Sequence, residues 1–191
     1  MPSFAREALL QAFYDIASVK PVDKITVKDI VERCGVNRNS FYYHFEDLPH
    51  LIQVAVEESL SRSLEEAAHE GSLAEGMMTL ARSILQNRDV ALNIFHSRHW
   101  SIYERSLIQV CENIVRDFMN GYVFPRCDIR PEEREGLIRY FKVPLFGMLV
   151  IWLYSGLKES ELEKNQAICT RLEKSMFLQV QNASGPRYDG R

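Results

Sequence analysis

The chain has 191 residues, 46% of them hydrophobic, enough to bury a core as one two-part domain or two small ones. A formal net charge of -3 and four scattered cysteines (Cys34, Cys111, Cys127 and Cys169) with no Cys-x-x-Cys pair exclude a strongly basic polyanion-coating protein and argue against a zinc ribbon or a disulfide framework. The opening residues MPSFAREALL lack the basic segment and long apolar stretch of a secretory signal, so a cytoplasmic location is expected.

Apolar residues recur at steps of three and four almost throughout, with no sustained alternation of period two, and the chain reads as all-α. Phe4, Ala8, Ala12, Phe13, Ile16 and Ala17 form a stripe on a helix from about Ser3 to Val19, which Pro21 stops. Thr26 and Asp29 form an acidic variant of the capping box, opening a short helix through Ile30, Val31 and Cys34 that Gly35 closes. Asn37 is the expected N-cap of a helix over residues 38–45, and Asp47 of a longer one carrying Leu51, Ile52, Val54, Ala55 and Leu60. Gly71, in the stretch HEGS, predicts a break and the start of a second unit. Further helices follow at about 73–87, 89–99, 101–122, 132–158 and 160–181, with Phe124 to Pro131 as the one long loop and 183–191 as a disordered tail. The longest apolar run, Val143 to Tyr154, covers twelve residues, short of the roughly 18 to 20 that cross a bilayer. It is expected to be a buried or interface helix, and no membrane partner is implied.

The stretch CGVNRNSFYYHF, from Cys34 to Phe45, carries the chemistry. Two short helices joined by CGVN have the proportions of a helix-turn-helix, with glycine in the turn and Val36 between the helices. On the second helix Arg38, Asn39 and Tyr42 share one side, while Phe41 and Phe45 face the core. Arg and Asn pair bidentately with guanine and adenine edges, and Tyr42, Tyr43 and His44 can donate to phosphates. An arginine at a helix start is poorly placed for the helix dipole, which points to an external anion for Arg38.

The block ITVKDIVERCGVNRNSFYYHFEDLPHLI resembles the DNA-binding unit of the tetracycline-repressor-like (TetR) family of transcriptional regulators, over roughly residues 5–60. The resemblance implies Thr26 and Lys28 on the supporting helix, Asn37 at the turn, Arg38, Asn39 and Ser40 toward bases, Tyr42 and His44 toward phosphates, and Tyr43 toward backbone or bases. It implies a helix-turn-helix domain over 1–48 and a helical ligand-binding and dimerisation domain over 49–182. One departure stands out: FEDLPHL places Glu46 and Leu48 where the family often has basic residues. Residues 1–50 carry six basic side chains against seven acidic ones, a net of -1, so few phosphates should be neutralised.

Beyond the first third the resemblance implies that the last two long helices pair across a two-fold axis, giving a homodimer and an inverted-repeat operator. The helix through Val143 to Tyr154, apolar nearly all round, supports this; Gly147 and Gly156 would allow close helix approach and Pro144 would kink it. The spacing of Phe141, Gly147, Trp152 and Gly156 is similar to a regulatory-domain subgroup that includes a dihydroxyacetone-kinase activator, which makes a co-regulator binding a protein partner the alternative to a repressor released by a small molecule. Phe95, His99, Trp100 and Tyr103, with His96 nearby, gather aromatic and polar groups at one helix junction; Phe141, Met148 and Trp152, beside Tyr140, offer apolar walls, and together they are the candidate ligand residues. Catalysis and cofactors are not expected: Glu66 and His69 supply one Glu-x-x-His motif where a di-iron bundle needs two, and His96 and His99, three apart on one helical face, lack a third ligand.

Overall fold

A computed structural model describes residues 2–67 and 71–183. His69, part of the expected break, and all but the first residue of the expected tail lie outside the described residues, as does the side chain of Glu66. The fold is all-α: α1 (Pro2–Ala17), α2 (Val27–Cys34), α3 (Arg38–His44), α4 (Leu48–Ala67), α5 (Leu73–Gln86), α6 (Arg88–Phe95), α7 (Trp100–Phe118), α8 (Pro131–Tyr154) and α9 (Leu162–Ala183). Three-residue 3-10 turns lie at Val22–Lys24, Phe124–Arg126 and Glu159–Glu161, and a π-helical turn at Met119–Val123 extends α7.

By packing, the chain forms two compact units, one of residues 1–60 and 83–106 and the other of 61–82 and 107–191. The division of roles expected at residues 48 and 49 therefore differs from the division of cores, which falls within α4, α5 and α7. In the first unit α1 buries Leu9, Ala12, Phe13 and Ala17 against α2 and α3, whose contributions are Ile30 and Phe41. Phe4, placed on this stripe by its spacing, is 80% exposed, because the buried face runs through Leu9 and Phe13. Tyr14 donates to the Ala55 carbonyl of α4 at 2.6 Å, and the Asn93 amide of α6 donates to the Ala17 carbonyl at 2.8 Å.

Two helix ends differ from the sequence expectation. The helix expected over 89–99 stops at Phe95, and the Arg98 backbone N–H, 3.2 Å from Asp23 Oδ1, caps the intervening turn from outside. His96 and His99 thus lie in a turn and not on one helical face, and His99 Nε2 accepts from Arg98 Nε at 3.3 Å. The helix expected to reach residue 158 ends at Tyr154, because Gly156 (φ 80°) takes the left-handed conformation. Leu157 N–H then bonds the Trp152 carbonyl and Gly156 N–H the Leu153 carbonyl, both at 2.9 Å, the paired bonds of a Schellman motif. Gly156 is therefore a helix terminator. Leu157 itself has positive φ (54°) and buries its side chain in the core, which offsets the strain.

At the end of α2, Gly35 adopts φ 71° and ψ 16°, and a Cβ built there would meet nothing within 4 Å. Its requirement is thus purely conformational. Gly35→Ala is expected to lower stability by about 1 kcal/mol, the left-handed penalty for a non-glycine residue, and Gly35→Asn by less; chemical denaturation of the two variants checks this.

Candidate nucleic-acid interface

The exposed face of α3 is positioned by caps. At the start of α2 the Thr26 hydroxyl accepts from the Asp29 backbone N–H at 3.2 Å, while Asp29 Oδ2 accepts from Thr26 N–H and from Lys20 Nζ, each at 2.8 Å. The Lys20 ammonium, with Thr26, holds the Asp29 carboxyl down to a pKa of about 2. Gly35 turns the chain, and the Asn37 side chain accepts from Ser40 N–H at 2.8 Å to open α3. Asp47 caps α4 in the same way, accepting from His50 N–H at 2.8 Å. Phe41 and Phe45, fully buried with ring centroids 5.7 Å apart, fasten α3 to the core.

What remains outside is the candidate surface. Arg38 and Asn39 are exposed, Tyr42 is 49% and Tyr43 77% exposed, and Ser40 and His44 are half-buried. The Arg38 guanidinium donates to the Tyr42 hydroxyl at 3.2 Å and lies 5.7 Å from that ring's centroid. It has no carboxylate partner among the described residues, so its charge stays available while its direction is set. The His44 ring meets Tyr43 edge to face at 4.9 Å. Thr26 is exposed at the head of α2, and Lys28, also exposed, makes a loose 3.6 Å pair with Glu32 that water and salt weaken.

Three of the seven acids of residues 1–50 are held by cations away from α3. Asp15 pairs with Arg33 at 2.9 Å, Asp29 with Lys20 at 2.8 Å and Asp23 with Arg98 at 3.6 Å. Lys20 and Arg98 were missed as organising residues, because their partners lie nine and 75 positions away in sequence, beyond any local periodicity.

The candidate ligand residues fall in different units: Phe95, His99, Trp100 and Tyr103 in the first, Phe141, Met148 and Trp152 in the second. In the first, Trp100 meets Phe95 edge to face at 4.9 Å and lies 5.9 Å from Tyr103. Tyr103 is buried, lines a cavity of only about 20 Å³ with Phe13 and Tyr14, and has its pKa pushed up by desolvation. His99 has its pKa lowered, chiefly by burial and then by Arg98. In the second, Phe141 is buried and Met148 half-buried. Trp152 is 2% exposed and its indole donates to the Lys158 carbonyl at 3.0 Å, so packing and one hydrogen bond account for its position. Among the described residues no group of three or more His, Cys, Asp or Glu could hold a metal ion.

The sequence profile "Bacterial regulatory proteins, tetR family" matches residues 9–48, and the profile "Transcriptional regulator C-terminal region", the eighth C-terminal type of the same family, matches residues 71–174, over half the chain. The chain belongs to the TetR family of transcriptional regulators. It is similar to the uncharacterized HTH-type transcriptional regulator YxbF of Bacillus subtilis (strain 168), 24% identical over 157 residues covering 79% of this chain and 40% of YxbF. The chain thus spans less than half the length of that relative. Among solved structures, the dihydroxyacetone kinase operon activator DhaS superposes with a TM-score of 0.71 at 15% identity, over 93% of this chain and 97% of DhaS. A TetR transcriptional regulator from Rhodococcus sp. RHA1 follows the same fold, with a TM-score of 0.58 at 13% identity over 92% and 98% of the two chains.

The Asp29 hub makes the head of α2 acid-sensitive. Its folded pKa lies below the unfolded value near 4, so its contribution is present above about pH 4 and is lost as pH falls toward 2. Asp29→Asn is expected to lower the melting temperature at pH 7 and to converge with the parent chain near pH 2; thermal melts across that range check it.

Proposed function

We propose that this chain is a homodimeric, sequence-specific DNA-binding repressor released by a small-molecule effector, with no catalytic activity and no cofactor, working in the cytoplasm. The observation that carries the DNA-binding part is the acid-free, exposed face of α3, where Arg38 is held by a neutral partner and keeps its charge. Arg38, Asn39 and Ser40 read base edges; Tyr43, His44, Thr26 and Lys28 meet the phosphates, with Asn37 fixing the helix start. Residues 1–48 serve as the reading head and 49–182 as the dimerising, effector-responsive part.

Dimerisation is supported by α8. Tyr140, Val143, Ile151 and Tyr154 are 65%, 58%, 70% and 76% exposed, and with Gly147 they recur at steps of three and four along one stripe. A Cβ at Gly147 would meet nothing within 4 Å, so the stripe is open to close approach from another helix. Ile168 of α9 is also exposed, at 46%. A second copy would cover these faces about a two-fold axis, spacing two α3 helices for an inverted repeat. α8 is the helix among the described residues that is long and apolar enough to cross a membrane, but its first turns carry Glu132, Glu133, Arg134 and Glu135.

Selection of duplexes from random DNA tests the reading: enrichment of an inverted repeat is expected, and enrichment of nothing at low salt would favour the second reading. Arg38→Ala is expected to relax base choice at one position per half-site, costing about 1 to 3 kcal/mol per lost bidentate pair. Because Tyr42 holds that guanidinium, Tyr42→Phe is expected to broaden the same position and not only to weaken all sequences alike. The logarithm of affinity should fall with the logarithm of salt less steeply than the slope of about -9 that ten neutralised phosphates would give. Ile151→Asp is expected to yield monomers in sedimentation and to lose the inverted-repeat preference.

The likeness to DhaS supports a second reading, a co-regulator of the same fold that takes its signal from a protein partner and activates. A reporter fused to the selected operator separates the two: repression relieved by a metabolite supports the first, and activation needing a second protein supports the second.

A further inference from the structure

The strongest unassigned feature lies in the second unit, where α7 ends. Its regular hydrogen bonding gives way at Met119–Val123 to a π-helical turn, an irregularity that recurs at functional sites. The turn leaves Tyr122 45% exposed, stacked on Phe118 with centroids 5.8 Å apart and ring planes 12° from parallel. The ring lies so close to the α5 entrance that a Cβ on Gly71 would come within 2.6 Å of the Tyr122 hydroxyl, so a glycine there permits its position. The Phe118–Tyr122 pair forms a wall shared by two spaces. On one side is a cavity of about 170 Å³, bordered by Asp117 and Gly76. On the other, Phe118, Tyr122, Arg126, Lys174, Phe177 and Leu178 line an open groove of about 420 Å³, within the size range of small-molecule sites.

The groove has a polarity. The Arg126 guanidinium lies 5.2 Å from the Tyr122 ring centroid, and its Nη1 donates to the Tyr122 carbonyl at 2.7 Å and to the Gly121 carbonyl at 3.4 Å, while the residue as a whole is exposed. Neither Arg126 nor Lys174 has an ion-pair partner among the described residues. The acid in the lining, Glu173, is committed elsewhere, accepting from the Ser72 hydroxyl at 2.8 Å and the Ala74 backbone N–H at 3.2 Å at the head of α5. Two unpaired cations thus sit over an aromatic and aliphatic floor. An inorganic anion would leave the floor uncovered, and a neutral apolar molecule would leave the cations unmatched.

We propose that this groove binds amphipathic organic monocarboxylates, with the carboxylate between Arg126 and Lys174 and the apolar body on Phe118, Tyr122 and Phe177, and that it is the effector site. This rests on the effector reading above and moves the site away from the residues singled out in the sequence. Because Tyr122 also abuts Gly71, a ligand that turns the ring presses on the start of α5, which gives the bound state a mechanical consequence within the same unit.

The test is calorimetric titration of the full chain with octanoate and with 2-naphthoate, using octanol and 2-naphthalenemethanol as uncharged counterparts. Both carboxylates are expected to bind, and Arg126→Gln and Lys174→Gln each to weaken them about tenfold while leaving the alcohols unchanged. Arg126→Lys, which keeps the charge, should restore most of the affinity, and unchanged melting temperatures establish that the variants fold. No binding of either carboxylate overturns the proposal, as does binding that the two glutamine variants leave intact, or binding seen with the monomeric Ile151→Asp chain alone, which would mean that a second copy covers the groove. Titration of the selected operator with and without octanoate separates the two claims. Arg126-dependent binding that leaves DNA affinity unchanged upholds the groove as a carboxylate site and overturns its effector role. Release of DNA that survives Arg126→Gln upholds the effector reading and overturns the groove.

Discussion

One carboxylate, that of Asp29, joins the helices from which the exposed face of α3 is hung. It receives the ammonium of Lys20, which follows α1, and both the hydroxyl and the backbone N–H of Thr26, which begins α2. The end of one helix and the start of the next are thereby joined through a single side chain, with the short Val22–Lys24 turn held between them. Asp23, in that turn, accepts the Arg98 backbone N–H and ties the same corner to the segment before α7. A helix of only seven residues, such as α3, has little stability of its own and takes its direction from what it is fastened to. Here it is fastened by Gly35 to α2, by the Asn37 cap at its own start, and by two buried phenylalanines to the core that α1 and α2 form.

The same pairings bear on how the net-negative first segment would meet the phosphates of the proposed DNA partner. Electrostatic attraction to a phosphate depends on the charges within about a Debye length, roughly 8 Å in physiological salt, and on whether each is already paired. Asp15, Asp23 and Asp29 each face a cation of their own unit, whereas Arg38 faces a phenol. A carboxylate in place of Tyr42 would orient the guanidinium equally well but would have to be displaced before a base edge could bind. A neutral aromatic partner limits the rotamers lost on binding and leaves the charge in place, the condition under which a specific contact adds to affinity.

Much of the first unit was legible in the sequence because its organising interactions are short in sequence. The Thr26–Asp29 box, the Gly35 terminator, the Asn37 cap and the Asp47 cap each join residues no more than three positions apart, and each is found as read. The aromatic pattern separating Phe41 and Phe45 from Tyr42 and Tyr43 is a matter of helical period alone. What was not legible was set by distant partners or by irregular backbone. The end of α6 at Phe95 depends on Asp23, and the π-helical turn after Phe118 breaks the period that carried the expected helix to residue 122. The cations of the groove, Arg126 and Lys174, gain meaning only when α7 and α9 are brought together, since 48 residues separate them in the chain.

The spacing of Phe141, Gly147, Trp152 and Gly156 now has a physical content. Trp152 closes the turn after α8 with several of its polar groups: its carbonyl accepts from Leu157 N–H and from the Ser155 hydroxyl, and its indole donates to the Lys158 carbonyl. Gly156 supplies the left-handed residue that this closure requires, four positions on. The interval between tryptophan and glycine is therefore the signature of a braced helix end, from which the chain returns along α8 as α9. Gly147 is the bare point on the exposed stripe of α8, and Phe141 the buried anchor one turn and a half before it. Read this way, the four residues specify how the terminal helices are held, a property that proteins answering to different signals can share. The side chains that would distinguish the signals are those of the groove at the end of α7, and none of the four lies among them.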